Sequence, residues 1–564
     1  MKKKIFGLIS LLLAAALLLC GCNGIDFEQL WGVVGAQLAT PFSDMEYVRP
    51  DMDAMADLLE DCCQRAETGA DADVLAEMAL EFYGVYNSFY TQYNLATIHY
   101  FQDMTDIYWE KEYIFCQGQA SVAQAGLEKL LCTLAESPQK DKLEEHPAFG
   151  EGFFDAYMGG GLWDDQFVQL MNEEAALEAR YMELCAQTPF LYTEEYFAKY
   201  SRPMGELFVE LVKVRQKIAA YAGYEDYASF AYDYYYYDGY APKEIEQHLE
   251  EIQQELVPLY RLVESRGTSA EEGKICREQD TFAYMESAAK EMGGAIQNAF
   301  LLMKQAQLYD ITYSEKKYSG SFEVFLLDYY VPYVFVSPVG TQRDKLSFAH
   351  EFGHFCNDYA AKGSVAGINV AEVFSQGMEY LSLCYGDEAG ALEQMKLQDC
   401  LRIYVEQAAY ALFEQRVYGL TGDELTVENV EKLYREIGLA YGFDVWGWDS
   451  RDYIMIGHFY TDPMYIVSYV VSNDVALQLY QLEKATPGAG RDLFAAQLAT
   501  AESELPTFVQ AAGLTNPLES GRLTEVRQTL EEMIKINESL LSSGLSFFIF
   551  VAPDKSAKRQ CLPG

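Results

Sequence analysis

Residues 350–354 read His-Glu-Phe-Gly-His and contain two of the six histidines in the chain. An α-helix turns once per about 3.6 residues, so side chains four positions apart lie on one face. His350 and His354 can therefore offer two imidazole nitrogens to a single Zn²⁺ ion. Glu351 would stand beside the open coordination position, where it can take a proton from metal-bound water. The segment predicts a catalytic site with one zinc ion per chain.

The third protein ligand must come from elsewhere, because a catalytic zinc site takes three side chains and leaves a fourth position for water. After His354 the chain turns at two glycines, and a second helical pattern begins at Ile368. Glu372 is the first acidic residue of this pattern and is the preferred third ligand. Glu379 lies on nearly the same face and is the competing ligand. With Glu372 in the ligand position, Glu379 would accept an imidazole N–H from a ligand histidine.

Residues 457–469, called the His458 segment below, bring a histidine and several tyrosines close together. Tyr465 and Tyr469 are four positions apart and share a helix face, and His458 precedes them across Pro463. Hydrolysis at such a site also requires donors for the oxyanion of the tetrahedral intermediate, and each donor contributes about 3 kcal/mol. A single tyrosine in a chain with 43 tyrosines is most often a packing residue. The joint arrangement nevertheless predicts catalytic roles for His458, Tyr465 and Tyr469.

Helices must position most of these residues. Apolar residues recur at three- and four-residue spacings from 53–65 onward, and Pro242 opens a helix with one apolar stripe. Strand-like runs concentrate at 322–327 and 331–336, just before the predicted helix that contains residues 350–354, called the metal helix below. We expect 331–336 to be an edge strand, which can pair with an extended peptide backbone. An aromatic run at 232–240 could line a peptide groove, although packing between helices is the favoured interpretation.

The N-terminus has the pattern of a bacterial lipoprotein signal. Lysines at 2–4 precede an apolar stretch at 5–19, which is short for a membrane span and right for a signal-peptide core. Cys22 follows a glycine in a segment that resembles a lipobox, so Cys22 is the predicted lipidation site. Cys20 fits less well because the bulky Leu19 precedes it. A plain secretory signal is the alternative. We expect an extracytoplasmic protein, anchored to the bacterial cell membrane or secreted.

The chain is strongly acidic. Its 41 basic and 86 acidic residues give a net charge of −45, and removal of the three signal lysines would make this −48. Nucleic acid and anionic lipid repel such a protein, so we expect neither as a partner and assign membrane contact to the lipid anchor alone. Short peptides are the expected partners.

Ten cysteines follow Cys22, and no CxxC pair occurs among them. Cys356 lies two positions after His354 and points away from it on a helix, so Cys356 is expected in the core. Disulfide pairing and the oligomeric state stay open at this level.

The motifs resemble those of the oligoendopeptidase F and thimet oligopeptidase family of zinc metallopeptidases. His-Glu-Phe-Gly-His at 350–354 matches the zinc helix of that family. Residues 372–379 resemble its E-x-P-S-Q-x-x-E segment, with Phe374 where proline is usual. Segments 329–333 and 516–521 are also similar to family segments, and the likeness covers about residues 205–536.

The His458 segment is similar to the pattern H-x-F-x-x-P-F-Y-Y-x-x-Y of one family branch. In that branch the histidine and tyrosines bind substrate and stabilise the oxyanion. Here Met464 replaces a phenylalanine and Ile466 replaces the second tyrosine. The resemblance therefore leaves the oxyanion role to Tyr465 and Tyr469, together with His458.

The resemblance implies a mainly α fold, a large helical ellipsoid with a deep substrate cleft and a small β-sheet beside the zinc helix. The predicted parts are a signal peptide at 1–22, a helical lobe at 23–200, a catalytic domain at 201–536 and a tail of unknown role at 537–564. The implied activity is that of a zinc oligoendopeptidase acting on short peptides. A metallocarboxypeptidase or dipeptidyl carboxypeptidase of similar fold, and an inactive lipid-anchored peptide-binding protein, are the alternatives.

Overall fold

The computed structural model describes residues 39–187, 192–236, 239–267, 274–363 and 366–534. The predicted signal segment with Cys22 and the tail at 537–564 lie outside the described residues. Within these ranges, no helix combines the length and the apolar character that a membrane crossing requires.

The described chain is mainly α-helical, as the sequence predicts. The helices before the sheet are α1 (Met52–Glu67), α2 (Ala72–Gln102), α3 (Ile107–Ala135), α4 (Lys140–Glu144), α5 (Asp165–Gln187), α6 (Glu194–Tyr221), α7 (Tyr227–Phe230), α8 (Pro242–Glu255), α9 (Val257–Glu264), α10 (Glu278–Met292) and α11 (Gly294–Gln305). The helices after the sheet are α12 (Arg343–Ala361), α13 (Ile368–Ser382), α14 (Glu393–Arg402), α15 (Ala408–Val417), α16 (Val427–Ala440), α17 (His458–Thr461), α18 (Val467–Ala485), α19 (Ala489–Gln497), α20 (Leu505–Ala512) and α21 (Arg522–Met533).

Aspartate side chains cap the N-termini of the three long helices at the start of the described chain. Asp51 accepts a hydrogen bond from a backbone amide of α1, Asp71 does so for α2, and Asp106 does so for α3. Each cap satisfies an N–H group that the first turn of a helix leaves without an internal partner. Local sequence therefore sets where these helices start.

Two apolar cores hold the helices together. The smaller core joins α1, α2 and α3 and includes Phe82 and Leu134. The larger core extends from Met45 to Ile534 and surrounds the metal helix α12. Cys356 is buried in it, as predicted.

A small sheet in the order β1-β3-β2 packs against α12. The strands are β1 (Tyr309–Asp310), β2 (Phe322–Leu326) and β3 (Val331–Phe335). β3 runs parallel to β1 and antiparallel to β2, and every residue of β3 is buried. The prediction that 331–336 is an edge strand is therefore wrong. A continuous apolar run is typical of a central strand that is covered on both faces, and the edge strands are β1 and β2.

The register of the sheet fixes which backbone groups of β2 point outward. The amides of Val334 and Val336 donate to carbonyls of the β1 side, at 3.0 and 2.8 Å. Neighbouring residues along a strand point their backbone groups in opposite directions, so Tyr333 pairs toward β2. Glu323 lies opposite Val334 and therefore turns its N–H and C=O away from β3. The carbonyl of Phe325, which also points outward, accepts a hydrogen bond from Nδ2 of Asn94 on α2 at 3.1 Å. Among the described residues, β2 thus presents an edge beside the metal helix that is unpaired only in part, at Glu323.

Helices α12, α13 and α18 form the layer that carries the candidate site. α12 packs on α13, and α13 packs on α18. α12 ends where Lys362 takes a left-handed conformation, and Gly363 follows with φ +74°. This reversal returns the chain so that α13 crosses α12 near its histidines.

Candidate metal centre

Gly353 lets α12 and α13 approach each other closely enough to form the site. A β-carbon at this position would lie 2.3 Å from the carbonyl oxygen of Phe374 and 2.6 Å from the Cα of Ser375. Both distances are shorter than any van der Waals contact, and the obstacle is backbone. Only glycine therefore permits the contact that brings Glu372 against His350 and His354.

The side chains of His350, His354 and Glu372, called the His-His-Glu group below, converge. Nε2 of His350 lies 3.3 Å from Oε2 of Glu372, and Nε2 of His354 lies 3.7 Å from Oε1. One donor atom from each residue lies within 4.8 Å of the others. Ligands about 2.0–2.1 Å from a tetrahedral zinc ion are about 3.3 Å apart. The group therefore has the spacing that such an ion needs.

Glu372 is the buried member of the group, with its side chain 1% exposed, whereas His350 and His354 are 20% and 15% exposed. Burial alone would raise the pKa of Glu372, but the two imidazoles outweigh it and hold this pKa well below its usual range. Ser375 Oγ also donates to Glu372 Oε2, at 2.6 Å. The carboxylate is thus held charged and oriented.

Glu379 contacts the ring nitrogen of His350 that faces away from Glu372. Its Oε1 lies 2.9 Å from Nδ1 of His350, and its Oε2 accepts a hydrogen bond of 2.8 Å from Nζ of Lys396. Burial raises the pKa of Glu379, but Lys396 and His350 outweigh this effect and lower it. Glu379 can therefore fix the tautomer of His350 that leaves Nε2 free for a metal.

Glu351 lies on α12 between the two histidines and is 6% exposed. Burial raises the pKa of Glu351 to about 7, while the neighbouring imidazoles oppose the increase. A carboxyl group with a pKa near neutrality can both accept and return a proton.

The His458 segment covers the His-His-Glu group from the side of α18. Nε2 of His458 lies 3.2 Å from the hydroxyl of Tyr469, and the ring of Tyr469 lies 6.4 Å from that of His350. The ring of His458 is parallel to that of Tyr465, with centroids 5.0 Å apart. The hydroxyl of Tyr465 donates to Oε1 of Glu372. The structure therefore brings all three predicted residues to one place, and it engages Tyr465 with the buried carboxylate.

Several contacts hold the His458 segment at this position. Gln376 on α13 donates to the carbonyl of Tyr469 at 3.0 Å. Tyr236, from the aromatic run, donates to the carbonyl of Pro463 at 2.8 Å. The amide of Met464, which has an unusual φ of +68°, donates to Glu414 Oε1 at 2.9 Å. The segment is thus fixed by side chains from three separate regions of the sequence.

Sequence reasoning missed Gly353, Lys396 and Gln376 as supporting residues. A glycine inside an amphipathic helix is a signal of close approach, so Gly353 could have been found. Lys396 and Gln376 carry no such signal, because their roles depend on which helices pack together.

Comparison with known proteins gives a family match for the N-terminal part of the chain and similar solved structures for its fold. Residues 42–157 match the family described as the Peptidase M3 N-terminal domain. Among curated proteins, none matches the chain.

Solved structures share the fold over most of the chain. A putative oligoendopeptidase F has 19% identity and a TM-score of 0.77, covering 88% of this chain and 99% of its own. PZ peptidase A has 18% identity and a TM-score of 0.76, with coverages of 88% and 99%. A putative oligoendopeptidase F from Bacillus anthracis str. Ames has 18% identity and a TM-score of 0.74, with coverages of 89% and 99%. At these identities the likeness establishes the fold.

The matched domain and the fold agree with the motifs at 350–354, 372–379 and 457–469. The family resemblance read from those motifs is confirmed. Residues 42–157 thus match the N-terminal domain of the M3 peptidases, and the chain has the fold of the solved oligoendopeptidase F structures.

Proposed function

We propose that the protein is a zinc-dependent oligoendopeptidase that hydrolyses short peptides outside the cytoplasm. The observation that carries the proposal is the convergence of His350, His354 and Glu372, whose donor atoms lie within 4.8 Å of one another. Glu351 stands on the same helix as the two histidines and supplies a base beside them. This combination is typical of metal-assisted hydrolysis.

The donor set favours zinc among the common metal ions. Two imidazole nitrogens and one carboxylate oxygen suit zinc, whereas magnesium and calcium take oxygen ligands. When bound, zinc acts as a Lewis acid on a carbonyl oxygen and lowers the pKa of a water molecule. His350 and His354 would contribute Nε2, and Glu372 would contribute its carboxylate.

Glu351 is proposed as the general base. Its carboxylate would take a proton from the attacking water and deliver it to the nitrogen of the leaving amine. The burial of this carboxylate supports the role, because a desolvated carboxylate is a stronger base than one in bulk water.

His458 and Tyr469 are proposed as donors to the oxyanion of the tetrahedral intermediate. Their contact of 3.2 Å supports this role, as does the ring of Tyr469, whose centroid lies 6.4 Å from that of His350. Tyr465 donates to Glu372, so its predicted contribution requires that its hydroxyl leaves the carboxylate when substrate binds.

The outward edge of β2 supports a peptide as the substrate. Glu323 turns its backbone N–H and C=O away from β3, and α12 packs against the same strand. An extended peptide can add to such an edge through main-chain hydrogen bonds, which gives affinity with little dependence on sequence. β2 thus takes the role that sequence analysis gave to 331–336.

The extracytoplasmic location is proposed from the signal pattern at 1–22 and from Cys22. Lipidation of Cys22 would anchor the protein to the membrane of a bacterial cell, and the net charge of −45 opposes other contacts with anionic lipid or with nucleic acid.

One experiment tests the proposed function. Metal content of the mature protein is measured, and cuts in a random peptide pool are mapped by mass spectrometry with and without a chelator. We expect about one zinc per chain, internal cuts that the chelator abolishes, and metal retention without turnover in Glu351→Gln. Cleavage of peptides blocked at the C-terminus distinguishes an endopeptidase from a carboxypeptidase. Stoichiometric zinc without any turnover would instead favour a peptide-binding protein.

A further inference from the structure

Arg215 is a fully buried cation on α6, with its side chain 0% exposed. Its Nη1 donates to the carbonyl oxygen of Phe459 at 2.7 Å, and its Nη2 donates to that of Tyr460 at 2.5 Å. These two carbonyls belong to the residues that follow His458 directly. The guanidinium therefore contacts the backbone that carries a proposed oxyanion donor.

The remaining donors of Arg215 join that backbone to two other regions. Nε contacts Glu174 Oε1 at 2.5 Å, and Nη2 contacts Glu178 Oε1 at 3.5 Å, both on α5. Nη1 also contacts the hydroxyl of Tyr418, which follows α15, at 3.2 Å. The planar fork of an arginine fits such a set of acceptors, and lysine, with a single point charge, does not.

α17 (His458–Thr461) depends on contacts outside itself for its orientation. It has one turn, and a helix of this length is not stable on its own. The last carbonyls of any helix lack internal partners. Arg215 donates hydrogen bonds to two of these carbonyls. Its positive charge also lies at the C-terminal end of the helix, where a cation is favourable. Because Arg215 is itself fixed by Glu174, the position of α17 follows from that of α5 and α6.

The contact of His458 with Tyr469 is sensitive to this arrangement. The two side chains meet at 3.2 Å, and His458 is one peptide unit away from the first carbonyl that Arg215 holds. A displacement of about 1 Å at a catalytic group can reduce the rate about 100-fold. A small rotation of α17 would therefore be enough to misplace His458.

We propose that Arg215 is a positioning residue for His458, acting through the carbonyls of Phe459 and Tyr460. The inference rests on the proposed function, in which His458 assists peptide hydrolysis. The competing role is purely structural: Arg215 would only join α5 to α6 through Glu174, and its loss would lower stability without a specific effect on His458.

The test variant is Arg215→Met combined with Glu174→Gln. The second substitution removes Glu174, the closer and more deeply buried of the two carboxylates that Arg215 contacts. A buried carboxylate left without its cation would by itself destabilise the fold. Arg215→Lys serves as a second variant that keeps the charge and loses the fork. Arg402→Met with Glu264→Gln is the matched control, because it removes another buried arginine–glutamate pair, at 2.8 Å, that joins α14 to α9.

The first measurement is a double-mutant cycle on peptide hydrolysis. We expect the Arg215/Glu174 variant to lose about 100-fold in kcat with little change in KM, and Arg215→Lys to lose less. In a His458→Ala background the same substitutions should change kcat by no more than about twofold. The control pair should leave kcat within about twofold of the wild type. Equal losses in both backgrounds would overturn the inference.

The second measurement does not depend on activity. Imidazole NMR signals of the metal-free protein, labelled at histidine, are recorded for the wild type and both Arg215 variants, and the signal of His458 is identified from its loss in His458→Ala. We expect the His458 signal to shift in the Arg215 variants while those of His99 and His248 stay in place. An unchanged His458 signal in a folded variant would overturn the inference. Absence of metal-dependent cleavage in the wild type would instead reject the proposed function and leave this measurement valid.

Discussion

Oε1 of Glu379 lies 2.9 Å from Nδ1 of His350, on the side of the ring opposite the nitrogen that faces Glu372. The same carboxylate is held by Lys396, whose ammonium group is completely buried. A charge network thus extends from the core to a histidine of the His-His-Glu group. Such outer contacts orient a ligand imidazole and increase its basicity.

Substitution of Glu379 tests this contact. We expect Glu379→Gln to weaken zinc binding roughly 10- to 100-fold, because the amide is a poorer acceptor for the Nδ1–H group of His350. Competition with a chromophoric chelator measures the affinity. Glu388→Gln is the control, because Glu388 also pairs with a buried lysine but does so at the surface. Equal affinities in Glu379→Gln and the wild type would contradict the role.

The close approach of α12 and α13 is tested at Gly353. A methyl group there would meet the carbonyl of Phe374, so Gly353→Ala should destabilise the protein by about 1–3 kcal/mol or more and lower its zinc content. Gly84→Ala on α2 is the matched control, since a β-carbon at Gly84 has no neighbour within 4 Å. Alanine at Gly84 should stabilise by about 0.5–1 kcal/mol. Thermal unfolding and metal analysis of both variants measure the effects, and similar results for the two would refute the packing argument.

The pH dependence of stability is expected to reflect Glu414. Burial raises the pKa of Glu414 to about 8, against the opposing effects of the Met464 amide and Arg215 and with a further contribution from Asp462. A glutamate in an unfolded chain titrates near 4.3, so the folded protein keeps a proton that the unfolded chain loses. The resulting stabilisation is complete at pH values below about 4 and is lost as the pH rises through about 8.

Glu414→Gln isolates this effect, because the amide oxygen can still accept from Met464. The free energy of unfolding of the wild type, minus that of the variant, should fall by about 1 kcal/mol per pH unit between pH 5 and 8. Urea unfolding at several pH values measures the difference, and other titrating groups cancel in it. A difference that does not change with pH would show that Glu414 is ionised in the folded protein.

The edge of β2 is tested with modified peptides. A substrate that pairs with β2 uses every second backbone N–H for the contact, so N-methylation should raise KM at alternate positions and have little effect between them. Steady-state kinetics on a series of singly methylated peptides measures this pattern. An effect that shows no alternation along the peptide would exclude strand pairing.

Lipidation is tested with two neighbouring cysteines. We expect Cys22→Ser to abolish incorporation of labelled palmitate and to release the protein from the membrane fraction of a bacterial host, since a polar chain without its anchor has little membrane affinity. Cys20→Ser is the matched control and should keep the label. Incorporation into Cys22→Ser but not into Cys20→Ser would move the site to Cys20.

The metal helix could be predicted because its information is local. The spacing of His350 and His354 and the acidic residue at the start of the next helix depend only on helix geometry and a short connection. The order of the strands could not be predicted, because Phe322–Leu326 and Val331–Phe335 are both short apolar runs. Which of them is central depends on what packs on each face.

The contacts that hold the His458 segment in place could not be predicted from the sequence either. Arg215 and the carbonyl of Tyr460 are 245 residues apart, and nothing in the helical pattern of α6 distinguishes this arginine from an exposed one. A buried cation becomes recognisable only when its acceptors are assembled around it.

The proposed function requires that His350, His354 and Glu372 together hold one zinc ion. X-ray diffraction from crystals of the zinc-loaded protein, measured on both sides of the zinc absorption edge, locates the metal without assumptions about its ligands. We predict a single anomalous peak about 2.0–2.2 Å from Nε2 of both histidines and from a carboxylate oxygen of Glu372. A peak elsewhere, or no peak at these three residues in zinc-saturated crystals, would contradict it.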